Sequence, residues 1–148
     1  MKFVDYILDK YATTAEEDIN LLPKNIKPIM AVLLAHFPIG NGGYRFFFER
    51  PLSGKASYED IKNGYLAVGL PEAAQHFESV LSLFPKQLPP INEIELDRLL
   101  CLYFESEDEF GNAISTYSQV VEEAENYYFD IFDSVPNILQ KYYDDKNT

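Results

Sequence analysis

The fold of this chain is decided by residues 41–48, NGGYRFFF, in which two adjacent glycines precede four aromatic residues. Glycine adopts positive φ without steric cost, so this segment can end a helix and redirect the backbone within about one turn. The rings that follow need a core to enter. A phosphate-binding loop is the functional alternative, but neither GxGxxG nor GxxxxGK[ST] occurs here. We therefore assign a structural role to Asn41, Gly42, Gly43, Tyr44, Phe47 and Phe48.

Helical patterns lie on the N-terminal side of this segment. The Thr-x-x-Glu pattern of residues 13–17 predicts a capping box and a short helix through about Leu22. Pro28 opens the next predicted helix, in which the apolar residues of 29–37 cover nearly the whole circumference. We expect Pro38 to kink or end that helix. Because a helix that is apolar all round is normally buried, we expect it at the centre of the fold.

On the C-terminal side, two predicted helices form a hairpin. Ser57 begins the first helix and Gly69 ends it. Pro71 begins the second helix and Pro85 stops it. A Pro-rich linker then leads to a helix near residues 93–104, whose predicted inward residues are Ile94, Leu99, Leu100 and Tyr103.

The most regular pattern lies near the C-terminus. Apolar residues at alternating steps of four and three predict a helix from about Glu107 to Asp133. The residues of this seam are Phe110, Ile114, Tyr117, Val121, Ala124, Tyr128 and Ile131. No segment shows the sustained alternation typical of strands. The sequence therefore predicts an all-α, single-domain helical bundle over residues 1–148, with about six to seven helices, a central buried helix and a long C-terminal helix.

The net charge of the whole chain is −12, and it is concentrated in the C-terminal part. Residues 1–90 hold nine Lys or Arg and ten Asp or Glu, whereas residues 91–148 hold three and fourteen, so the net charges are −1 and −11. Such a field repels nucleic acid and anionic membranes and attracts basic surfaces. The distribution therefore indicates either a basic protein partner or solubility alone, with no direct binding to nucleic acid or membrane.

No catalytic, metal or cofactor site emerges from the residue pattern. The two histidines, His36 and His76, lie forty residues apart, and neither has a second His or a Cys at ligand spacing. Cys101 is the single cysteine and lies in an apolar run, which suits a buried thiol in a reducing compartment. Asp5 and Asp9 interrupt the region where an export signal would lie, and no apolar run is long enough to span a bilayer. We therefore expect a non-enzymatic, cytoplasmic protein without a cofactor.

Carboxylates off the C-terminal seam form the candidate partner-binding face. On a helix rising about 1.5 Å per residue, such side chains make a line of negative charge comparable to a phosphate strand. A solvated surface is the alternative, since charge runs commonly serve solubility. Because these residues lie off the seam, we expect all of them to be replaceable without loss of stability. The predicted partner-binding residues are Glu105, Asp108, Glu109, Glu122, Glu123, Glu125 and Asp130.

Several stretches also carry a resemblance to a known family. They are residues 41–48, the segment 64–74 that begins Gly-Tyr-Leu-Ala-Val-Gly, and the stretches ending at Phe84-Pro85 and Tyr103-Phe104. Together they resemble a family of small acidic bacterial proteins that includes a DNA mimic protein, and the resemblance covers roughly residues 30–130. It implies an all-helical cytoplasmic protein. For the characterised member it implies a dimer whose acidic surface occupies the DNA-binding face of a transcription factor, so a homodimer is expected here as well.

Three hypotheses about function follow. The first is a DNA-mimic-like regulator that binds a basic, DNA-binding protein such as a transcription factor. The second is an immunity or antitoxin protein that neutralises a toxin. The third is a small-molecule or enzymatic site at the Asn41-Gly42-Gly43 turn, where a cation and aromatic rings at a helix end surround a pocket. Its residues would be His36, Asn41, Tyr44 and Arg45.

Overall fold

The computed structural model describes residues 2–104 and 116–147, which form seven α-helices and three 3-10 turns, with no strand among them. The predicted all-α fold class is therefore confirmed. The helices are α1 (Lys2–Glu17), α2 (Lys27–Phe48), α3 (Tyr58–Val68), α4 (Pro71–Leu81), α5 (Glu93–Phe104), α6 (Thr116–Ile131) and α7 (Val135–Lys146). The 3-10 turns are Ile19–Leu21, Pro85–Gln87 and Phe132–Ser134.

The first helix corrects the predicted N-terminus. Residues 13–17 do not begin a helix but form the last turn of α1. The helix starts earlier because Val4 and Ile7, three residues apart, bury one face of its first two turns. The local capping residue is Asp18, whose carboxylate accepts the Asn20 N–H at 2.9 Å at the start of the following 3-10 turn.

Helix α2 is the buried centre of the fold, as the sequence predicts. Ile29, Val32, Ala35 and Ile39 are completely buried, and α2 packs against both α3 and α6. The helix does not end at Pro38. Its break lies at Gly43, where φ is 76° and ψ is −173°, and helical geometry resumes immediately afterwards. The predicted glycine turn is thus an interruption inside one helical segment.

The α3–α4 hairpin forms as its capping residues predict. Ser57 Oγ accepts the Asp60 N–H at 3.0 Å, and the Asp60 carboxylate accepts the Ser57 N–H at 3.0 Å, which completes a capping box. Gly69 ends α3 in the left-handed region with φ 90°. Pro71 then begins α4 with only Leu70 between them. The predicted start and end of α3 and the predicted start of α4 are confirmed, but α4 ends at Leu81 and not at Pro85, which begins the next 3-10 turn.

The C-terminal helices largely follow their predicted seams. Leu99, Leu100 and Tyr103 of α5 are buried, but Ile94 is 83% exposed, so its predicted inward position is wrong. The buried stripe of α5 is confined to the second half of the helix, where the Tyr103 ring packs against Phe84 with centroids 5.4 Å apart. From Thr116 to Lys146, helical residues continue through the 3-10 turn without a break, which confirms a long C-terminal helical segment. Helix α6 ends at Ile131, near the predicted Asp133, and the predicted start near Glu107 lies outside the described residues.

Within α6, the described part of the predicted seam faces the core. Val121, Ala124 and Tyr128 are buried, and Ile131 is half-buried. Phe110 and Ile114 lie outside the described residues, as does the side chain of Tyr117. The side of α6 that carries these residues faces the core, and the carboxylates on the opposite side face solvent.

Candidate partner-binding surface and the glycine turn

Three of the predicted partner-binding carboxylates project from the solvent side of α6. Glu122, Glu123 and Asp130 are exposed, and in the described part of the chain none of them forms an ion pair. Successive helical residues are rotated by about 100°, so the three fall within an arc of about 100° and span about 12 Å along the axis. Glu105, Asp108 and Glu109 lie outside the described residues.

Glu125 differs from these three residues. It is half-buried, and its Oε2 accepts the backbone N–H of Tyr44 at 2.7 Å. Burial raises the pKa of Glu125, the Tyr44 N–H opposes that shift, and the nearby Glu122 carboxylate adds to it. The expectation that Glu125 lies on the solvent side of α6 is therefore wrong, because the Gly43 turn binds its carboxylate.

The Gly43 turn requires glycine for two independent reasons. Its φ of 76° with ψ of −173° lies in a region that is essentially restricted to glycine. A Cβ at this position would also collide with the carboxylate of Glu125. Gly43 therefore provides both the backbone break and the space that Glu125 occupies.

The other residues of the motif divide between core and surface. Tyr44, Phe47 and Phe48 are buried. Phe47 and Phe48 both contact the Tyr58 ring, at centroid distances of 6.0 and 5.8 Å, so the rings enter the core as predicted. Asn41 is exposed and, among the described residues, its side chain makes no hydrogen bond, so no side-chain contact supports the structural role predicted for it. Gly42 is exposed, and the Phe46 side chain occupies the space that a Cβ would need.

His36 of α2 lies in the core, on the side of α2 that faces the C-terminal helices. Its side chain is 0% exposed, and its Nδ1 is hydrogen-bonded to the Tyr128 hydroxyl at 2.8 Å. The Phe132 ring stacks on it with centroids 4.2 Å apart and planes 10° apart. Burial lowers the pKa of His36 to about 4, against the opposing effect of Asp133. His36 is therefore neutral at physiological pH.

One acidic residue near the surface was missed by the sequence argument. Glu72 is an exposed residue in the first turn of α4. Burial and then the nearby Glu72 carboxylate raise the pKa of Tyr127 on α6, and His76, one turn after Glu72 on α4, stacks on the Tyr127 ring with centroids 4.8 Å apart. The only sequence signal was an acidic residue directly after Pro71, which the favourable charge of a helix N-terminus already explains.

Two grooves in the described part of the chain lie away from the residues of the small-molecule hypothesis. Tyr44 and His36 are both buried, and Arg45 Nε lies 3.3 Å from Glu49 Oε1, one helical turn away. A groove of about 750 Å³ lies between α1 and α7, and one of about 400 Å³ lies between α3 and α7. Neither groove is lined by a residue of the Asn41-Gly42-Gly43 turn.

Within residues 2–104 and 116–147, no group of three or more His, Cys, Asp or Glu has an arrangement that could hold a metal ion. In the same ranges, no helix combines the length and apolarity needed to cross a bilayer.

Comparison with known proteins supports the resemblance noted from the sequence. A family model described as DMP19-like protein matches residues 20–145, a wider range than the resemblance covers. No curated protein and no solved structure match the chain. Because the family model covers most of the chain, this protein belongs to the DMP19-like family, the family of DNA mimic protein 19.

Proposed function

We propose that this protein is a non-enzymatic regulator that binds a basic, DNA-binding protein through the exposed side of α6. The observation that carries the proposal is the placement of Glu122, Glu123 and Asp130 on one side of that helix without ion-pair partners among the described residues. Unpaired exposed carboxylates attract a cationic surface without first having to lose an internal partner. Membership of a DNA mimic family supports the same partner class.

The number of negative charges per unit length of α6 is comparable to that of a single DNA strand. Three carboxylates span about 12 Å along the helix axis. One DNA strand carries a charge every 3.4 Å, so about three to four phosphates occupy the same length, whereas the full duplex carries about seven. The surface therefore carries about the charge of one strand over that length.

Capture from an extract of the native host tests the proposal, with two variants that remove equal charge. In the first, Glu122→Gln, Glu123→Gln and Asp130→Asn neutralise the α6 face. In the second, Glu16→Gln, Glu17→Gln and Glu59→Gln neutralise three exposed carboxylates of the N-terminal part of the chain. We expect the wild type and the second variant to retain the same basic protein at low salt, and the first variant to lose it.

Competition with DNA then identifies the nature of the partner. A duplex that contains the binding site of the captured protein should displace this protein from it, because both occupy the same basic surface. Equal loss of binding in both variants would mean that total charge alone is responsible, which overturns the proposal. A captured toxin without DNA-binding activity would support the immunity hypothesis instead. Sedimentation of the purified protein tests the homodimer, which remains a prediction.

A further inference from the structure

Glu125 has a contact that no other described carboxylate of α6 makes. Its Oε2 accepts the Tyr44 N–H at 2.7 Å across 81 residues of sequence. Tyr44 is the first residue after the break at Gly43, so its N–H belongs to a new helix start and has no carbonyl of a preceding turn to bond. A carboxylate at that position caps the helix and interacts favourably with its dipole.

This contact constrains the rotation of α6 about its own axis. On a helix, Glu125 lies about 160° from Glu123 and about 140° from Asp130. When Glu125 points to the Gly43 turn, Glu123 and Asp130 must therefore point away from α2 and into solvent. Around the helix axis, Glu122 lies between Glu125 and Asp130, about 60° from Glu125, and it is also exposed.

Two further contacts lie on the same stripe of the C-terminal segment. Tyr128, three residues after Glu125, is hydrogen-bonded to His36. Phe132, four residues later, stacks on His36 and covers Gly40 so closely that a Cβ there would collide with its ring. One stripe of the C-terminal segment thus meets α2, with Glu125, Tyr128 and Phe132 against His36, Gly40 and Gly43. Glu125 is the acidic residue of this stripe.

We infer that Glu125 is a positioning residue for the acidic face, held by the backbone of the Gly43 turn, and that it does not contact the partner. The role of the face itself rests on the proposed function, but the contact and the rotation that it imposes do not. Glu125 is therefore separated from Glu122, Glu123 and Asp130, although the sequence places all four in one acidic cluster.

Two substitutions at Glu125 remove the same charge but differ in the contact. Glu125→Gln keeps a carbonyl oxygen that accepts the Tyr44 N–H, whereas Glu125→Ala removes the acceptor. We expect the exchange rate of the Tyr44 amide hydrogen, measured by NMR, to stay near the wild-type value in Glu125→Gln. In Glu125→Ala we expect it to rise by about tenfold, the factor that corresponds to the loss of roughly one hydrogen bond. The exposed Glu122→Gln is the control and should leave this rate unchanged.

Binding of a deca-lysine peptide, measured by calorimetry over a range of low salt concentrations, tests the positioning role without the natural partner. We expect Glu122→Gln to weaken binding and reduce its salt dependence, and Glu125→Gln to bind as the wild type does. Glu125→Ala should bind more weakly than Glu125→Gln, because the face is no longer held in place. Equal weakening by Glu125→Gln and Glu122→Gln would identify Glu125 as a contact residue and overturn the inference. Equal exchange rates of the Tyr44 amide hydrogen in the two Glu125 variants would also overturn the inference. A failed capture experiment would contradict only the proposed function.

Discussion

The Nδ1 atom of His36 and the hydroxyl of Tyr128 lie 2.8 Å apart and join α2 to α6 through a hydrogen bond inside the core. Both side chains are almost completely buried, at 0% and 1% exposure. A buried polar pair of this kind stabilises only one alignment of the two helices, because any slip would leave both atoms unpaired.

The first prediction is that the fold loses stability in mild acid through His36. The unfolded chain binds a proton near pKa 6.5, while burial lowers the pKa of folded His36 to about 4. Unfolded molecules are therefore protonated first. The stability that neutral His36 provides is fully present above about pH 6.5 and is lost as the pH falls from about 6.5 to about 4. The free energy of unfolding is therefore lower by about 3 kcal/mol at about pH 4 than above about pH 6.5. Urea unfolding at a series of pH values measures it.

His36→Phe is the control for that series. The variant has no titrating group at this position, so its unfolding free energy should fall less steeply between about pH 6.5 and about pH 4, by the roughly 3 kcal/mol that His36 contributes. Asp133, the carboxylate that opposes the shift, remains in both proteins. Identical pH profiles for the two proteins would show that His36 titrates normally in the folded state.

The second prediction compares two buried tyrosines. Tyr128→Phe removes the partner of His36 Nδ1 and should cost about 1–3 kcal/mol, the penalty for an unsatisfied buried polar atom. The Tyr65 ring lies 6.1 Å from the Tyr128 ring, but within the described residues its buried hydroxyl has no hydrogen-bond partner. Tyr65→Phe should therefore be neutral or stabilising. Thermal unfolding of both variants measures the two changes in stability. A large loss of stability in Tyr65→Phe would contradict the conclusion that its hydroxyl has no partner.

Local chemistry explains which helices could be predicted from the sequence. The α3–α4 hairpin is set by Ser57, Asp60 and Gly69, each of which acts on backbone groups only a few residues away. Such effects are visible in the sequence. The inward side of α5 depends on which helices pack against it, so a periodic pattern alone placed Ile94 in the core although it is 83% exposed.

The candidate site was predictable only where exposure follows from helical position. Glu122, Glu123 and Asp130 lie off the Val121–Tyr128 seam and are exposed, as expected. Glu125 lies off the same seam, yet it is bound by Tyr44, which is 81 residues away in the sequence. No local pattern reveals that pairing. The glycine break and the carboxylate it binds are recognised as one feature only in the folded chain.

The third prediction is that the exposed side of α6 can be neutralised without loss of stability. Glu122→Gln, Glu123→Gln and Asp130→Asn together should change the free energy of unfolding by less than about 0.5 kcal/mol per site, as is usual for surface substitutions. Loss of repulsion between neighbouring carboxylates acts in the stabilising direction. Thermal and urea unfolding measure the change. A collapse of stability would mean that these side chains have structural partners.

The fourth prediction concerns two glycines with positive φ. Gly69→Ala is strained only by its backbone, because a Cβ there meets no atom within 4 Å, and it should cost about 1 kcal/mol. Gly43→Ala combines a conformation restricted to glycine with a collision against Glu125. It should cost about 3 kcal/mol or more, and Gly43→Val should cost at least as much because of its branched side chain.

A double substitution separates the two effects at Gly43. In a Glu125→Ala background the carboxylate is gone, so Gly43→Ala should lose only the backbone contribution, and the combined loss should be smaller than the sum of the single losses. The same cycle with Gly69→Ala and Glu125→Ala should be additive, because Gly69 meets no neighbouring side chain. Urea unfolding of the six proteins gives both coupling energies. Additivity at Gly43 would show that the carboxylate moves aside freely and that the turn is specified by its backbone conformation alone.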